Sequence, residues 1–521
     1  TWRNKKHETQ LAADTVNPAT SALSELGWQG MPEVGCLNLP YPFPECGRKA
    51  SFGSNNWVAS RGFAGGDTAF LANDPHLRLT FPFNFYAGAY DSTAAGGTLR
   101  VAGYGLVGVP GVLIGHNDSI AWGFTNNPAD VDDVYLEVLD ETKTKIFDGA
   151  DEKGEKLFSP MQVTKTVMKV RNSRGGLDER TVESRWGKHG PVFSDHIPEI
   201  QDVLEKFAKS QPFDVSVVAT YKWTGHLMSS EFVAMLGVNR ASNYTQFKQS
   251  LREFKSGAQN MVFASTSGDI GYYSHGNFPI RTYLSQAQAP FIPVIPYARH
   301  LMGQLLAAFR KPAEWEGFRE TMPELYNPSS GRIITANNDP FGHSERAALN
   351  GYNDYFGYGF STGARAERIT QLLDANRGHL SLETMQKIQT DHVDLLLGAF
   401  VQLARENRAE LKLSPAAATL ADKLLAWNGE MKATMKEPVL ADAWASSLTG
   451  LYLDVVAPEV NAQLREAIDR TSLLGRTLYN RLKDSLASGK EDKRAFGMKL
   501  LTRKRGGTDR DAAEMITGAV R

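Results

Sequence analysis

Cysteine is nearly missing from this sequence: two residues in 521, Cys36 and Cys46. A thiolate zinc site needs more sulfur than that, and no His-Glu-x-x-His occurs, so the common zinc patterns are excluded. The two cysteines lie in a Pro- and Gly-rich stretch. A small disulfide loop in an oxidising compartment and a pair of free thiols are both open readings. No apolar run approaches the ~18 residues of a membrane-spanning helix. An excess of one charge is also missing, with 57 Lys+Arg against 58 Asp+Glu and a formal net charge of −1. That balance lacks the global electrostatic footprint of a nucleic-acid binder. The chain opens Thr1-Trp2-Arg3-Asn4-Lys5, with neither Met nor a signal-like apolar core. It reads as a processed product or a fragment, so targeting cannot be read from it.

What is present is globular. Hydrophobic residues make up 42% and aromatic residues 10%, enough apolar side chain to exclude disorder as the main state. The length allows roughly three or four domain-sized units. Residues 1–53 stand apart as a leader, with Pro32, Pro40, Pro42, Pro44 and several glycines between Gly27 and Gly53. From Ser54 the character changes to short β-branched and aromatic runs bounded by turn residues. Trp57 to Ser60, Leu99 to Ala102, Val163 to Val170, Phe232 to Val238 and Met261 to Ala264 are predicted strands of a mostly antiparallel system. Residues 54–350 are therefore strand-rich and 360–521 helix-rich. Apolar spacings of three and four predict helices over Ala364 to Ala375, Leu382 to Arg405 (starting from Ser381), Pro415 to Trp427, Val439 to Tyr452 and Asn461 to Leu486. Strands first and helices later indicate an α+β architecture. The basic stretch Lys490 to Arg510 is expected to be a solvated helix face.

Two motifs fail on context. Gly103-Tyr104-Gly105-Leu106-Val107-Gly108 fits G-x-G-x-x-G, but Val109-Pro110-Gly111 follows where a dinucleotide site needs a helix to open. A turn between strands is the better reading. Gly359-Phe360-Ser361-Thr362-Gly363 fits G-x-S-x-G, yet no strand-like run precedes it and no suitably spaced histidine follows. Ser361 or Thr362 is expected to cap the following helix, with a conventional serine hydrolase on Ser361 as the alternative. A third feature, Asp130-Val131-Asp132-Asp133, lacks the turn glycine and closing Glu of an EF-hand. Its spacing alone favours a solvated turn.

A different series holds together. Gly53-Ser54-Asn55-Asn56-Trp57 stands where the leader meets the body. It is followed by Asn73-Asp74-Pro75-His76-Leu77, Trp122-Gly123-Phe124-Thr125-Asn126-Asn127, Gln259-Asn260-Met261-Val262, Gly268-Asp269-Ile270-Gly271, Phe278-Pro279-Ile280-Arg281, Thr335-Ala336-Asn337-Asn338 and Gln389-Thr390-Asp391. In this order the series resembles the penicillin acylase family, the N-terminal-nucleophile amidohydrolases that include penicillin, cephalosporin and acyl-homoserine-lactone acylases.

The resemblance implies a four-layer αββα sandwich with an added helical region, and an amide hydrolase working through an acyl-serine. It implies self-cleavage between Gly53 and Ser54, freeing an α-amine that serves as base for the same residue's hydroxyl. That chemistry is sound: a serine hydroxyl needs a base, and an α-amine has a pKa of ~7.7–8.0. By position the oxyanion donors are the Asn126 backbone N–H and the Asn260 carboxamide. His76 is expected to hold the serine, and Arg281 to orient Asn260 or meet the substrate. Leu77, Phe81, Phe83 and Phe85 are candidates for an apolar acyl pocket, with ordinary core packing as the alternative. Asp130, Asp133 and Asp269, with the Asp132 carbonyl, match a structural calcium site of the penicillin G enzymes. No catalytic cofactor is implied.

The implied partners are a small acyl-amide substrate and the chain's own α-subunit. His76 and the Ile120–Asn126 stretch favour acyl-homoserine lactones over β-lactam side chains. The implied location is periplasmic or secreted. The 53-residue leader is short for an α-subunit plus spacer, Leu37 to Gly53 reads as spacer, and the end at Arg521 is early. A truncated catalytic subunit over 54–521 is the expectation, with an inactive, unprocessed or binding homologue as the alternative.

Overall fold

A computed structural model describes residues 53–445, apart from 78–80, 82, 154, 211–215, 282–313, 322–323, 340–355, 358–359, 407, 409–414 and 443. The leader with Cys36 and Cys46, the predicted Asn461–Leu486 helix and the basic stretch from Lys490 lie outside the described residues.

The strand that begins at the Gly-Ser junction, Gly53–Ala59, is the centre of a three-stranded sheet. Phe70–His76 pairs on one side, with Gly53 opposite His76 and Ala59 opposite Phe70. Arg332–Thr335 pairs on the other, with Asn56 opposite Thr335. A seven-stranded sheet runs in the order Leu325–Tyr326, Ile270–Tyr273, Gln259–Ser265, Ile120–Asn126, Ile114–Asn117, Arg100–Leu106, Phe85–Asp91. Every pairing between named strands is antiparallel, as the short alternating runs predict.

The alternation of side chains along Gly53–Ala59 decides what each face meets. Trp57 and Ala59 pack with Ile369, Leu373, Met385 and Ile388 of the helices Ala364–Ala375 and Leu382–Gln389. Val58 faces the other way, onto Val262, Ala264, Ile270 and Tyr272 of the seven-stranded sheet. The far face of that sheet, through Trp122, Phe124, Met261 and Phe263, packs on the helices Glu231–Arg240 and Tyr244–Leu251. The two sheets approach so closely that a Cβ on Gly123 would lie 2.4 Å from Asn73 Oδ1.

A lobe to one side holds the four-stranded sheet Ser216–Trp223, Asp132–Leu139, Lys145–Ala150, Lys156–Pro160 and the long hairpin Gln162–Arg171/Leu177–Gly187. The helices Leu395–Glu406 and Pro415–Ala426 build a separate apolar cluster around Phe400, Leu424, Trp427 and Trp444.

Two sequence expectations need correction. Phe232 to Val238 is helical, inside Glu231–Arg240. Ala234, Met235 and Val238 are its buried apolar side chains, with Asn239 also buried, while Phe232 and Val233 are exposed, a spacing of three and four that the aromatic and β-branched composition conceals. The single helix expected over Leu382 to Arg405 is two, interrupted over residues 390–394. There the Asp391 carboxylate pairs with Arg368 and accepts from the Val393 N–H, and the Asp394 carboxylate accepts from the Leu397 N–H. Ser381 caps the first helix, as its place before the apolar spacing predicts. The glycine-rich Gly103–Gly108 stretch lies on the end of the strand Arg100–Leu106 and the turn after it, with no helix opening there. Among the described residues no helix is long and apolar enough to cross a membrane.

Candidate active site

Ser54 is the second residue of the central strand, and its side chain shares the face of Asn56 and Val58, toward the seven-stranded sheet. It is 7% exposed. Its hydroxyl donates to the carbonyl of the preceding residue, Gly53, at 2.7 Å. Its backbone N–H donates to Asn337 Oδ1 at 2.6 Å. Continued two residues beyond the Asn56–Thr335 pair, the register would set Asn337 opposite Ser54. At Asn337 the backbone turns left-handed, with φ of 59°, and leaves the ladder. Its side chain then takes the ladder's place, accepting from Ser54 and donating through Nδ2 to the Asn126 carbonyl at 2.8 Å.

Asn260 is fully buried on the facing sheet. Its Oδ1 accepts from the Tyr272 hydroxyl at 2.9 Å, and its Nδ2 donates to the Asn126 carbonyl at 3.2 Å and Thr125 Oγ1 at 3.3 Å. Burial pushes the Tyr272 phenol well above its ordinary pKa, so it remains a donor. The Asn260 carboxamide is thereby fixed in orientation, while its own hydrogens are held by long contacts. Asn56 ties the two sheets together: Oδ1 accepts from Thr335 Oγ1 at 2.5 Å, and Nδ2 donates to the Asn260 carbonyl at 3.4 Å. Thr335 and Thr125 hydroxyls meet at 2.8 Å.

The structure thus gathers Ser54, Asn126 and Asn260, linked through Asn337 and Asn56. Asn126 takes part through its carbonyl, while its exposed side chain accepts from Gln259 Nε2.

His76 is placed differently from its expected role. Its partner in register is Gly53, so the imidazole lies on the face of Asn55 and Asp74, opposite to that of the Ser54 hydroxyl. Its ring nitrogen meets Asp74 Oδ2 at 3.1 Å and Asn55 Nδ2 at 3.5 Å. The same face holds Arg365, from the helix Ala364–Ala375, whose guanidinium donates to the Ser54 carbonyl, Asn55, Asn337 and Ser361. A Cβ on Gly53 would come within 2.9 Å of Arg365 Nη2 and 3.0 Å of Asn337 Oδ1, so a side chain before this serine would have to displace the guanidinium.

Arg281 and the acidic run form a site of their own. The Arg281 side chain is fully buried, with Nε on Asp133 Oδ2 at 2.9 Å and Nη2 on Asp130 Oδ1 at 3.2 Å. Nη1 and Nη2 also donate to the Asp130 and Asp132 carbonyls at 3.0 and 3.1 Å. Trp315 Nε1 adds a further bond to Asp133. Burial and the neighbouring Asp130 raise the Asp132 carboxyl to about 6, against a hydrogen bond from Tyr221 that lowers it. The oxygens expected to bind calcium are therefore bonded to a guanidinium. Asp269 does not join them, being held by Ser267 and Asn327. Among the described residues no group of three or more His, Cys, Asp or Glu is arranged to hold a metal. The residues present do not fit a calcium ion.

Among the pocket candidates, Phe81 is completely exposed and Phe83 is 38% exposed, while Phe85 opens the edge strand of the seven-stranded sheet; Leu77 follows directly on the His76 strand. Ser361 accepts from Arg365 and bridges in parallel to Asn338. The helix cap is Gly363, with Thr362 Oγ1 accepting from the Ala364 N–H at 3.3 Å.

Asn56, Thr125 and Asn337 stand in the sequence motifs, and Tyr272 directly follows one, without a role attached to any of them; Arg365 lies outside every motif.

A family model described as Penicillin amidase matches residues 2–519. The acyl-homoserine lactone acylase QuiP of Pseudomonas aeruginosa is 24% identical over 85% of this chain and 50% of its own length. Penicillin acylase 2 proenzyme of Pseudomonas sp. strain SE83 is 26% identical over 77% and 45%. Penicillin G acylase of Escherichia coli is 27% identical over 72% and 39%. The chain thus spans half or less of the length of these relatives. The solved thermostable penicillin G acylase from Alcaligenes faecalis shares the fold, with a TM-score of 0.62 at 20% identity, over 89% of this chain and 77% of that one.

Proposed function

The chain belongs to the penicillin amidase family, and from that premise we propose that it is an amidohydrolase cleaving the bond between an acyl group and an amine through an acyl-Ser54 intermediate. The observation that carries this is the Ser54 hydroxyl, held 2.7 Å from the carbonyl oxygen of its own preceding peptide while Asn337 grips the Ser54 nitrogen. Attack of Oγ on the Gly53 carbonyl carbon forms an ester as the Gly53–Ser54 C–N bond breaks, the nitrogen taking a proton. Water then hydrolyses the ester, leaving a Gly53 carboxylate, the Ser54 hydroxyl and a free Ser54 α-amine.

In turnover the amine accepts the hydroxyl proton as Oγ attacks the substrate's amide carbon, and that proton passes to the departing amine. Water repeats the sequence on the acyl-serine and releases the acid. The Asn260 carboxamide is the oxyanion donor: its two contacts at 3.2 and 3.3 Å exchange for a shorter, charge-assisted bond as negative charge develops. Asn126 presents its carbonyl to the Asn260 and Asn337 amides, and its N–H is the second donor of the scheme. Arg281 is committed to Asp130 and Asp133 and enters no step.

The stacking of helix pair, three-stranded sheet, seven-stranded sheet and helix pair supports reading the body as the four-layer αββα sandwich. The relatives' names support the substrate class, and the acyl-homoserine lactone acylase resemblance favours N-acyl-homoserine lactones over penicillin side chains. The leader 1–53 would then be the piece released from Ser54, the cut chains staying paired, in a periplasmic or secreted setting.

Intact mass and N-terminal sequencing of purified protein test the proposal, together with release of homoserine lactone from an acylated substrate. A terminus reading Ser-Asn-Asn-Trp and acyl release are expected. An uncut chain with no release from either an acyl-homoserine lactone or a phenylacetyl amide overturns it and leaves the binding homologue.

A further inference from the structure

One charged group touches the serine and has no task in the scheme above. Arg365 stands in the first turn of the helix Ala364–Ala375, half-buried against Gly53. Nη1 donates to the Ser54 carbonyl at 2.9 Å and to Asn55 Oδ1 at 2.7 Å. Nη2 donates to Asn337 Oδ1 at 2.9 Å and to Ser361 Oγ at 3.2 Å. The Ser54 nitrogen donates to that same Asn337 oxygen. One amide oxygen therefore joins the guanidinium to the nitrogen that self-cleavage would free, and the two nitrogens lie within about 5.5 Å of each other.

We propose that Arg365 is a positioning residue that keeps the freed Ser54 amine unprotonated, and so competent as a base, at neutral pH. The inference rests on the proposed cleavage at Gly53–Ser54. Its physics is like-charge repulsion: an ammonium at Ser54 would face a guanidinium across one shared acceptor, in a site too buried for water to screen the pair fully. An α-amine of ordinary pKa, ~7.7–8.0, is mostly protonated at pH 7, and a depression of about one unit reverses that balance. Burial lowers Arg365 itself to about 10, with Asp74 opposing, so it keeps its charge throughout the working range.

The other charged or titratable groups at this site come from few elements. The strand Phe70–His76 brings Asp74, close enough to favour the Arg365 charge, and His76, which bonds to Asp74. Asp339 acts on Tyr272 behind Asn260. The strands Arg332–Thr335, Ile120–Asn126 and Gln259–Ser265 present Thr335, Thr125, Asn126 and Asn260, all uncharged. Asp74 pulls the amine's pKa the opposite way from Arg365, so the two charges make opposed predictions.

The experiment measures the acid limb of kcat/KM, with an acyl-homoserine lactone as substrate, for wild type, Arg365→Lys, Arg365→Met and Asp74→Asn. Each enzyme is first sequenced to show a Ser54 terminus. Removing the Arg365 charge should move the limb up by about one pH unit. The lysine variant should leave it close to wild type even where kcat falls, and Asp74→Asn should move it down. If Arg365→Met is not cleaved, the Asp74→Asn shift and a pH titration of the Ser54 amine in that variant and wild type decide. A limb that stays put in Arg365→Met, or that fails to move down in Asp74→Asn, overturns the role given to Arg365. A wild-type chain without a Ser54 terminus overturns the functional proposal itself, and this inference with it.

Discussion

Arg281 shows how far a residue's identity can be legible while its role is not. Its place in Phe278-Pro279-Ile280-Arg281 is visible in the sequence, and so is the acidic run Asp130 to Asp133, yet nearly 150 residues separate them. Only the fold reveals that one is the counter-ion of the other. Arg281→Ala should leave Asp130 and Asp133 without their buried cation and cost about 3–5 kcal/mol, read by chemical denaturation. Chelator added to the wild type should leave its melting temperature unchanged, since the acidic oxygens already have a cation. Ser54→Ala should abolish both chain cleavage and acyl release. Turnover that survives in that variant would move the nucleophile, with Ser361 the first place to look. Ser54 and Asn260 were legible because short motifs around them are distinctive. Arg365 was not, because nothing in Gly363-Ala364-Arg365-Ala366 differs from an ordinary helix start, and its partners lie more than 300 residues away for Ser54 and Asn55.

At the scale of elements, the strand Asp132–Leu139 is stapled to the segment 314–316 by a buried ionic cluster. His189, 4% exposed and stacked on Tyr135 at 3.8 Å, lies between Glu137 Oε1 at 2.5 Å and Glu314 Oε1 at 2.8 Å. Lys222 and Lys188 complete it on Glu314. Burial works against the imidazolium, but the two carboxylates outweigh it and the net pKa is raised. Glu314 is buried too, yet His189, Lys188 and Lys222 hold its carboxyl well below the usual range. The His189 contribution is therefore present below the unfolded pKa of ~6.5 and lost as pH rises through the higher folded value. The Glu314 contribution is present above its unfolded pKa of ~4.3 and lost as pH falls toward its depressed folded value. Stability should accordingly peak in mildly acidic buffer. Denaturation midpoints across pH for wild type and His189→Gln check this: the alkaline decline should flatten in the variant.

Elements were unevenly legible for a related reason. The antiparallel hairpin around Val163 to Val170 and the cap at Ser381 follow local rules. The helix Glu231–Arg240 and the break at residues 390–394 are set by tertiary packing and ion pairing. Composition alone favoured a strand at Phe232 to Val238 because it weighs side-chain shape and ignores which side chains are buried.

For the whole molecule, the sequence order of strands and then helices was sufficient to indicate a mixture of sheets and helices. It did not show that two sheets meet face to face with the serine between them. That arrangement needs register: each residue's face follows from its pairing partner, as Trp57 and Val58 show by entering different clusters. The near-zero net charge also takes on structural meaning, because several of its charges are spent in buried pairs at Arg281 and His189 rather than on the surface.

The central position of the strand Gly53–Ala59 bears on what a break before Ser54 would do to the rest of the molecule. New chain ends ordinarily fray, and their amides exchange with solvent within moments. Here the new end would be flanked by Phe70–His76 on one side and by Asn337 on the other, with Trp57 fully buried three residues in. Amide hydrogen exchange should therefore find Asn56 to Ala59 among the slowest positions in the chain, at the same level before and after cleavage. The terminus would be born folded, and chemistry at its first atom would be insulated from the loss of the chain that preceded it.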